Sequence, residues 1–153
     1  MTATLNLDSW LVGFLDGRGS LMADTRGAKT RTTLQIKMRD DGVRLLFEIR
    51  DHLGLGTISA VGACNRRLLS IGNYYDAPAA QLCIRAAGEC QQMADWFDEH
   101  PLQGKRQREV ALWCQIVRLI EANGSSTTSE LVYLNGQLKG CKENVPPLVE
   151  AGS

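Results

Sequence analysis

The chain has 153 residues, 44% hydrophobic and 22% charged, which fits one globular domain and excludes a disordered chain. Seventeen Lys+Arg balance seventeen Asp+Glu, so the net charge is zero. Taken alone, that balance argues against a phosphate-rich partner and excludes a basic or acidic tail. No run reaches the roughly 18 apolar residues of a membrane span, and no membrane partner is expected. The start, MTATLNLDSW, lacks the basic region and apolar core of a secretory signal. We therefore expect an intracellular protein, cytoplasmic or organellar, and not a secreted one.

In chain order, Asp8 or Ser9 can cap a helix over about residues 9–17, which Gly17 and Gly19 end. SLMADTR (20–26) reads as a strand, RGAK as a turn, and TRTTLQIKMR (30–39) as the clearest strand. There Thr32, Leu34, Ile36 and Met38 share one face, and Arg31, Thr33, Gln35, Lys37 and Arg39 the other. Asp40 or Asp41 can cap a second helix carrying Val43, Leu46, Phe47 and Leu53, stopped by Gly54 and Gly56. GTISAV (56–61) is a third strand, and residues 62–80 read as a long excursion. QLCIRA (81–86) is a fourth strand. It leads to a helix with Cys90, Met93, Ala94 and Phe97 on one stripe, interrupted at Pro101.

A long helix follows over 105–122, with Val110, Trp113, Val117 and Ile120 in line. TTSE resembles a capping box before a last helix over about 127–139. The expected organisation is one domain over 1–145 with a loose tail over 146–153. Trp10, Phe14, Phe47, Phe97 and Trp113 sit at core spacings, Trp96 is ambiguous, and Tyr74-Tyr75 falls in the excursion. The cysteines (Cys64, Cys83, Cys90, Cys114, Cys141) are odd in number, form no CxxC pair, and accompany only His52 and His100. That pattern speaks against a structural zinc site or a disulfide framework.

Residues 10–20, WLVGFLDGRGS, resemble the signature of the LAGLIDADG homing endonucleases: Leu11, Gly13, Phe14, Leu15, Asp16, Gly17 and Gly19 fit, and Ser20 fits the residue that follows. The element order αββαββα is also that family's, and the resemblance covers about residues 7–122. It implies an α+β fold, with an antiparallel saddle-shaped sheet and helices on one face. With one motif in the chain, it implies a homodimer whose motif helices meet at a two-fold axis. Gly13 and Gly17 lie four apart on one helical face, so two such helices can approach closely. The same glycines would equally serve a tight contact within the chain or a helix end. The dimer-interface candidates are Trp10, Gly13, Phe14 and Gly17.

The family's acid at the eighth signature place binds a divalent metal, for which a hard oxygen ligand is needed. Here that place is Arg18, a degenerate metal-ligand position, because a guanidinium carries only donors. A polar residue that orders water at the end of the second strand is replaced by Met38. The basic residue expected after the third helix is Lys105, Arg106 or both. No cofactor is therefore expected. The alternative is weak magnesium-dependent activity with a metal recruited by Asp16 or Asp24.

Between residues 18 and 39, six basic residues (Arg18, Arg26, Lys29, Arg31, Lys37, Arg39) meet one acid, Asp24. An outward strand face with Arg, Gln, Lys and Thr suits base edges and phosphates, though a merely solvated sheet face would also be polar. DNA-binding candidates are Met22, Asp24, Arg26 and Lys29 around the first strand, and Arg31, Thr33, Gln35, Lys37 and Arg39 on the second. Thr57, Ser59 and Val61 on the third strand and Gln81, Cys83 and Arg85 on the fourth join them. Arg66 and Arg67 in the excursion and Arg108 beyond the third helix complete the set. Three functions stay open. The first is sequence-specific binding of a long pseudo-palindromic DNA duplex with cleavage lost or impaired, with an intron RNA as a further partner. The second is an active metal-dependent homing endonuclease, and the third a protein-interaction module without a DNA role.

Overall fold

The computed structural model describes residues 7–39, 42–60, 79–104 and 106–143. Helix α1 spans Leu7–Arg18, strand β1 Ser20–Asp24, β2 Arg31–Arg39, helix α2 Gly42–Leu53, β3 Thr57–Ala60 and β4 Ala79–Ile84. Helices α3 (Ala87–Glu99), α4 (Gln107–Asn123) and α5 (Ser129–Glu143) follow. The strands form one fully antiparallel sheet in the order β1-β2-β4-β3.

The alternation in β2 decides which face is covered. Thr32, Leu34 and Ile36 are buried beneath the helices, while Arg31, Lys37 and Arg39 are exposed on the other side. Register carries this through the sheet: Leu34 lies beside Leu21 and Ile84, and Ile36 beside Leu82. Onto this face pack Val43, Leu46 and Ile49 of α2, Cys90, Met93 and Phe97 of α3, and Trp113 and Ile116 of α4. Helix α5 adds Leu131, Leu134 and Leu138. The Trp113 ring is fully buried, and its indole N–H donates to the Met22 carbonyl at 3.1 Å, tying α4 to β1.

Two glycines close α2 and admit β3. Gly54 (φ 70°) donates to Arg50 O at 2.7 Å. Gly56 (φ 93°) passes so near β4 that a Cβ would lie 2.8 Å from Leu82 Cδ1.

Several sequence readings need correction. Helix α1 runs through Gly17 to Arg18, and the amide of Gly19 closes it on Leu15 O at 2.9 Å. Trp10 is not in the core: it is 38% exposed and stacks on Phe14 with ring centroids 5.0 Å apart. The α5 cap is Thr128, whose Oγ1 accepts from Leu131 N at 3.2 Å. The TTSE reading is one residue early, because the Thr127 hydroxyl instead donates to Gly27 O at 2.9 Å. Strand β4 begins at Ala79 and ends at Ile84, two residues ahead of the predicted span. Asp40, Asp41, Val61, Cys64, the excursion with Arg66, Arg67, Tyr74 and Tyr75, Lys105, and the tail 146–153 lie outside the described residues.

Candidate nucleic-acid interface

The uncovered sheet face is a grid of side chains set by register. On β2 it presents Arg31, Thr33, Gln35, Lys37 and Arg39. Opposite them on β1 stand Asp24 beside Arg31, Met22 beside Thr33, and Ser20 beside Gln35. On the other side, Cys83 stands beside Gln35 and Gln81 beside Lys37, with Thr57 and Ser59 of β3 next in line. Gln35 Nε2 donates to Gln81 Oε1 at 2.7 Å, so these two amides act as one unit. Cys83 points to this face but is only 5% exposed, so its neighbours cover it. Ser20 belongs to the grid and was missed because it reads as part of the motif; the parity of β1 is the signal that places it. Arg85 follows β4 and is exposed.

The β1–β2 hairpin is fixed from below by the loop between α4 and α5. Thr30 N donates to Ser125 O at 2.7 Å, and Thr127 N to Ala28 O at 2.9 Å. The Thr30 and Thr127 hydroxyls meet at 3.0 Å. This clamp was not legible in the sequence, since it joins residues about 100 positions apart. It steadies a hairpin that carries Arg26 and Lys29 and leads into Arg31. Asp24 accepts from Arg26 through Nε at 3.0 Å and Nη2 at 3.1 Å, which holds its carboxyl down at about 2 and raises the guanidinium. An open groove of about 810 Å³ runs past this hairpin, lined by Asp24, Arg26, Lys29, Arg31, Gln35 and Arg85 among others.

At the C-terminal end of α1, Arg18 is exposed. Asp16 is turned inward instead. Its Oδ1 accepts from Arg106 N, just before α4, at 3.2 Å, and its Oδ2 fills the space that a Cβ on Gly104 would need. The carboxylate thus sits at a helix N-terminus, where backbone N–H groups favour negative charge. Arg106 is also committed: its Nε donates to Asp16 O at 2.9 Å and its Nη1 meets Glu109 at 3.3 Å. Arg108 is exposed, with Nη2 3.4 Å from Gln137 Oε1. These residues do not fit a magnesium ion, because the Arg18 guanidinium carries only donors and the nearby Asp16 carboxylate holds a helix end. Met38 faces the helices, against Gly42.

The outer face of α1 is open. Among the described residues, a Cβ added at Gly13 or Gly17 would meet nothing within 4 Å, and Trp10 and Phe14 flank them. Among the described residues, no group of three or more His, Cys, Asp or Glu is placed to hold a metal. No described helix is long and apolar enough to cross a membrane.

No protein-family model and no curated protein matches the chain. Solved structures do. The chain is similar to the LAGLIDADG meganuclease I-AabMI bound to uncleaved DNA (TM-score 0.68, 23% identity), matching 87% of this chain and 43% of that one. It is similar to the homing endonuclease I-TnaI (TM-score 0.67, 18% identity), with 94% of this chain and 99% of that one matched. It is also similar to the archaeal intron-encoded homing endonuclease I-Vdi141I complexed with DNA (TM-score 0.69, 16% identity), over 90% and 84%. The chain thus spans less than half of I-AabMI and almost all of I-TnaI. The chain has the fold of the LAGLIDADG homing endonucleases, with Leu11–Arg18 in helix α1, where its sequence resembles their signature.

Proposed function

We propose that this chain binds double-stranded DNA sequence-specifically as a LAGLIDADG-type homodimer, with cleavage lost or impaired. The observation that carries the reading is the uncovered sheet face. Register places Arg31, Thr33, Gln35, Lys37, Gln81, Thr57 and Ser59 on one surface with no described helix over it. Arg and Gln there match the donor–acceptor patterns of guanine and adenine in the major groove, and two-stranded ribbons can enter that groove. Solved relatives of the same fold are described as bound to DNA, which supports the partner. The open faces of two α1 helices, packed across Gly13 and Gly17, give a symmetric dimer and hence a long pseudo-palindromic site.

Cleavage is the weak part of the inherited chemistry. Arg18 stands at the ligand place and Asp16 is spent on Arg106 N. Arg18 instead supplies positive charge where a phosphate would pass, and pairs directly with its oxygens.

Selection of bound duplexes from a randomised pool, with and without magnesium, tests the whole reading. An enriched pseudo-palindrome, bound more weakly as salt rises and left intact with magnesium, is the expected result. Cutting of that site by the unaltered chain would overturn the loss of cleavage. No enriched site and no salt-dependent binding would favour a protein-interaction module. Arg18→Glu is the companion variant: if this residue alone blocks the chemistry, some magnesium-dependent cutting should return.

A further inference from the structure

We infer that Arg26, locked in place by Asp24, reads one guanine at a fixed position in each half of the DNA site. This rests on the proposed DNA binding and gives it a base.

The geometry starts with what Asp24 does not do. Its register partner on β2 is Arg31, also on the uncovered face. Yet its carboxylate turns to Arg26, two residues along its own chain. Oδ1 accepts from the Arg26 backbone N–H at 3.0 Å and from Nε at 3.0 Å, and Oδ2 accepts from Nη2 at 3.1 Å. The Nε–Nη2 edge of the guanidinium is thereby filled. The Nη1–Nη2 edge keeps its outward hydrogens, and the Arg26 side chain is 87% exposed. Register sets Asp24 opposite Arg31, and the two side-chain bonds hold the guanidinium beside the Asp24 carboxylate.

Two targets compete for such an edge. A phosphate is anionic, and a carboxylate within hydrogen-bonding distance of the guanidinium cancels much of the attraction to it. The major-groove edge of guanine is neutral and offers two acceptors, O6 and N7, at the spacing of a guanidinium fork. A charge-neutral Arg–Asp pair with one fork left open therefore suits guanine and suits phosphate poorly. Holding the fork in advance also reduces the side-chain freedom lost on binding. The hairpin itself is pinned by Thr30 N to Ser125 O and by Thr127 N to Ala28 O, so the fork is presented from a fixed base. Lys29 and Arg31, which form no ion pair with another described residue, are the neighbouring phosphate contacts.

The test compares sites selected from a randomised duplex pool by the unaltered chain, by Arg26→Lys, by Asp24→Asn, and by the double variant Asp24→Asn/Arg26→Ala. The double variant leaves no orphan carboxylate behind. Thermal melting confirms that each variant is folded, as expected for residues this exposed.

The unaltered chain should prefer guanine at one position per half-site by about 10- to 100-fold. The double variant should lose that preference at that position alone, with the slope of log affinity against log salt unchanged. Arg26→Lys keeps the charge but not the fork, and should retain only a few-fold preference. Asp24→Asn should blur it while the arginine remains.

If the double variant binds all sequences more weakly by one factor, with a salt slope reduced by about one, Arg26 holds a phosphate and the inference falls. It falls equally if the double variant keeps the full guanine preference. Both outcomes leave the DNA-binding reading standing, because the unaltered chain still selects a site. Failure of the unaltered chain to bind any duplex overturns both.

Discussion

Replacing Gly13 and Gly17 with alanine should stabilise the single subunit and weaken the proposed dimer. A methyl group at either position meets nothing within 4 Å among the described residues, so no clash there offsets the gain in helix propensity. Glycine inside a helix costs about 1 kcal/mol relative to alanine, so the double variant should gain about 1 to 2 kcal/mol, less where Gly17 nears the helix end. At the two-fold axis of the proposed dimer the same change would insert four methyl groups between two closely packed backbones. Overpacking of this kind costs about 1 to 3 kcal/mol. A net interface loss of about 2 kcal/mol raises the dimer dissociation constant roughly 30-fold. The assay has two arms. Urea unfolding at a concentration where the chain is monomeric reads the first effect, and sedimentation equilibrium reads the second. A stabilised subunit with an unchanged dissociation constant would refute the placement of the interface on α1.

Asp16→Ala removes the carboxylate that accepts from Arg106 N at 3.2 Å. It should cost about 1 to 2 kcal/mol, a fall of about 2 to 8 °C in melting temperature, and leave any magnesium response unchanged. A variant that melts normally would return Asp16 to the list of metal candidates. Trp113→Phe loses the 3.1 Å bond to Met22 O and part of a fully buried ring. We expect a loss of about 2 to 3 kcal/mol, read as a lower urea midpoint. A change within 0.5 kcal/mol, about the size of a surface substitution, would show that α4 does not anchor β1 through this ring. Asp8 titrates below its ordinary value, first because His52 donates to it at 2.7 Å and then because Trp96 does at 3.0 Å. A depressed carboxyl stabilises the fold above its unfolded value and loses that contribution as pH falls through the folded one. The gap between the unaltered chain and Asp8→Asn should therefore close below about pH 4. A gap that stays constant from neutral pH to pH 2.5 would contradict this.

How much of this was legible in the sequence depended on the range of the interaction. Period-2 alternation in TRTTLQIKMR sorted Arg31, Thr33, Gln35, Lys37 and Arg39 onto one face, and the register confirms that sorting. Local patterning suffices there, because one face must be covered and a slip of one residue would invert it. Trp10 was misplaced for the opposite reason. Its spacing from Phe14 is that of a core stripe, but Leu11 and Leu15 fill the inner face of α1, and Trp10 rolls outward. Spacing alone does not say which of two apolar stripes meets the sheet. The inward turn of Asp16 and the Thr127 clamp on the hairpin were out of reach. Each joins segments some 90 to 100 residues apart, with no local signal in either.

The zero net charge acquires a cause once the charges are placed. Arg31, Lys37 and Arg39 are exposed on the uncovered sheet face, while Asp95, Asp98 and Glu121 gather around Arg118 on α3 and α4. The balance is therefore a sum over two unlike surfaces, and the average hides the basic one. Arg18 extends that logic to the motif. A metal ion at this place would bring positive charge to the backbone of a bound duplex, and an arginine brings charge without requiring the ion. In the proposed dimer two such residues flank the axis, so tight binding should persist when divalent metal is chelated. Arg18→Ala should then weaken the complex uniformly across sequences and reduce the salt slope by about one per half-site. A complex that forms only with magnesium, and is indifferent to Arg18, would mean that the arginine does not replace the ion.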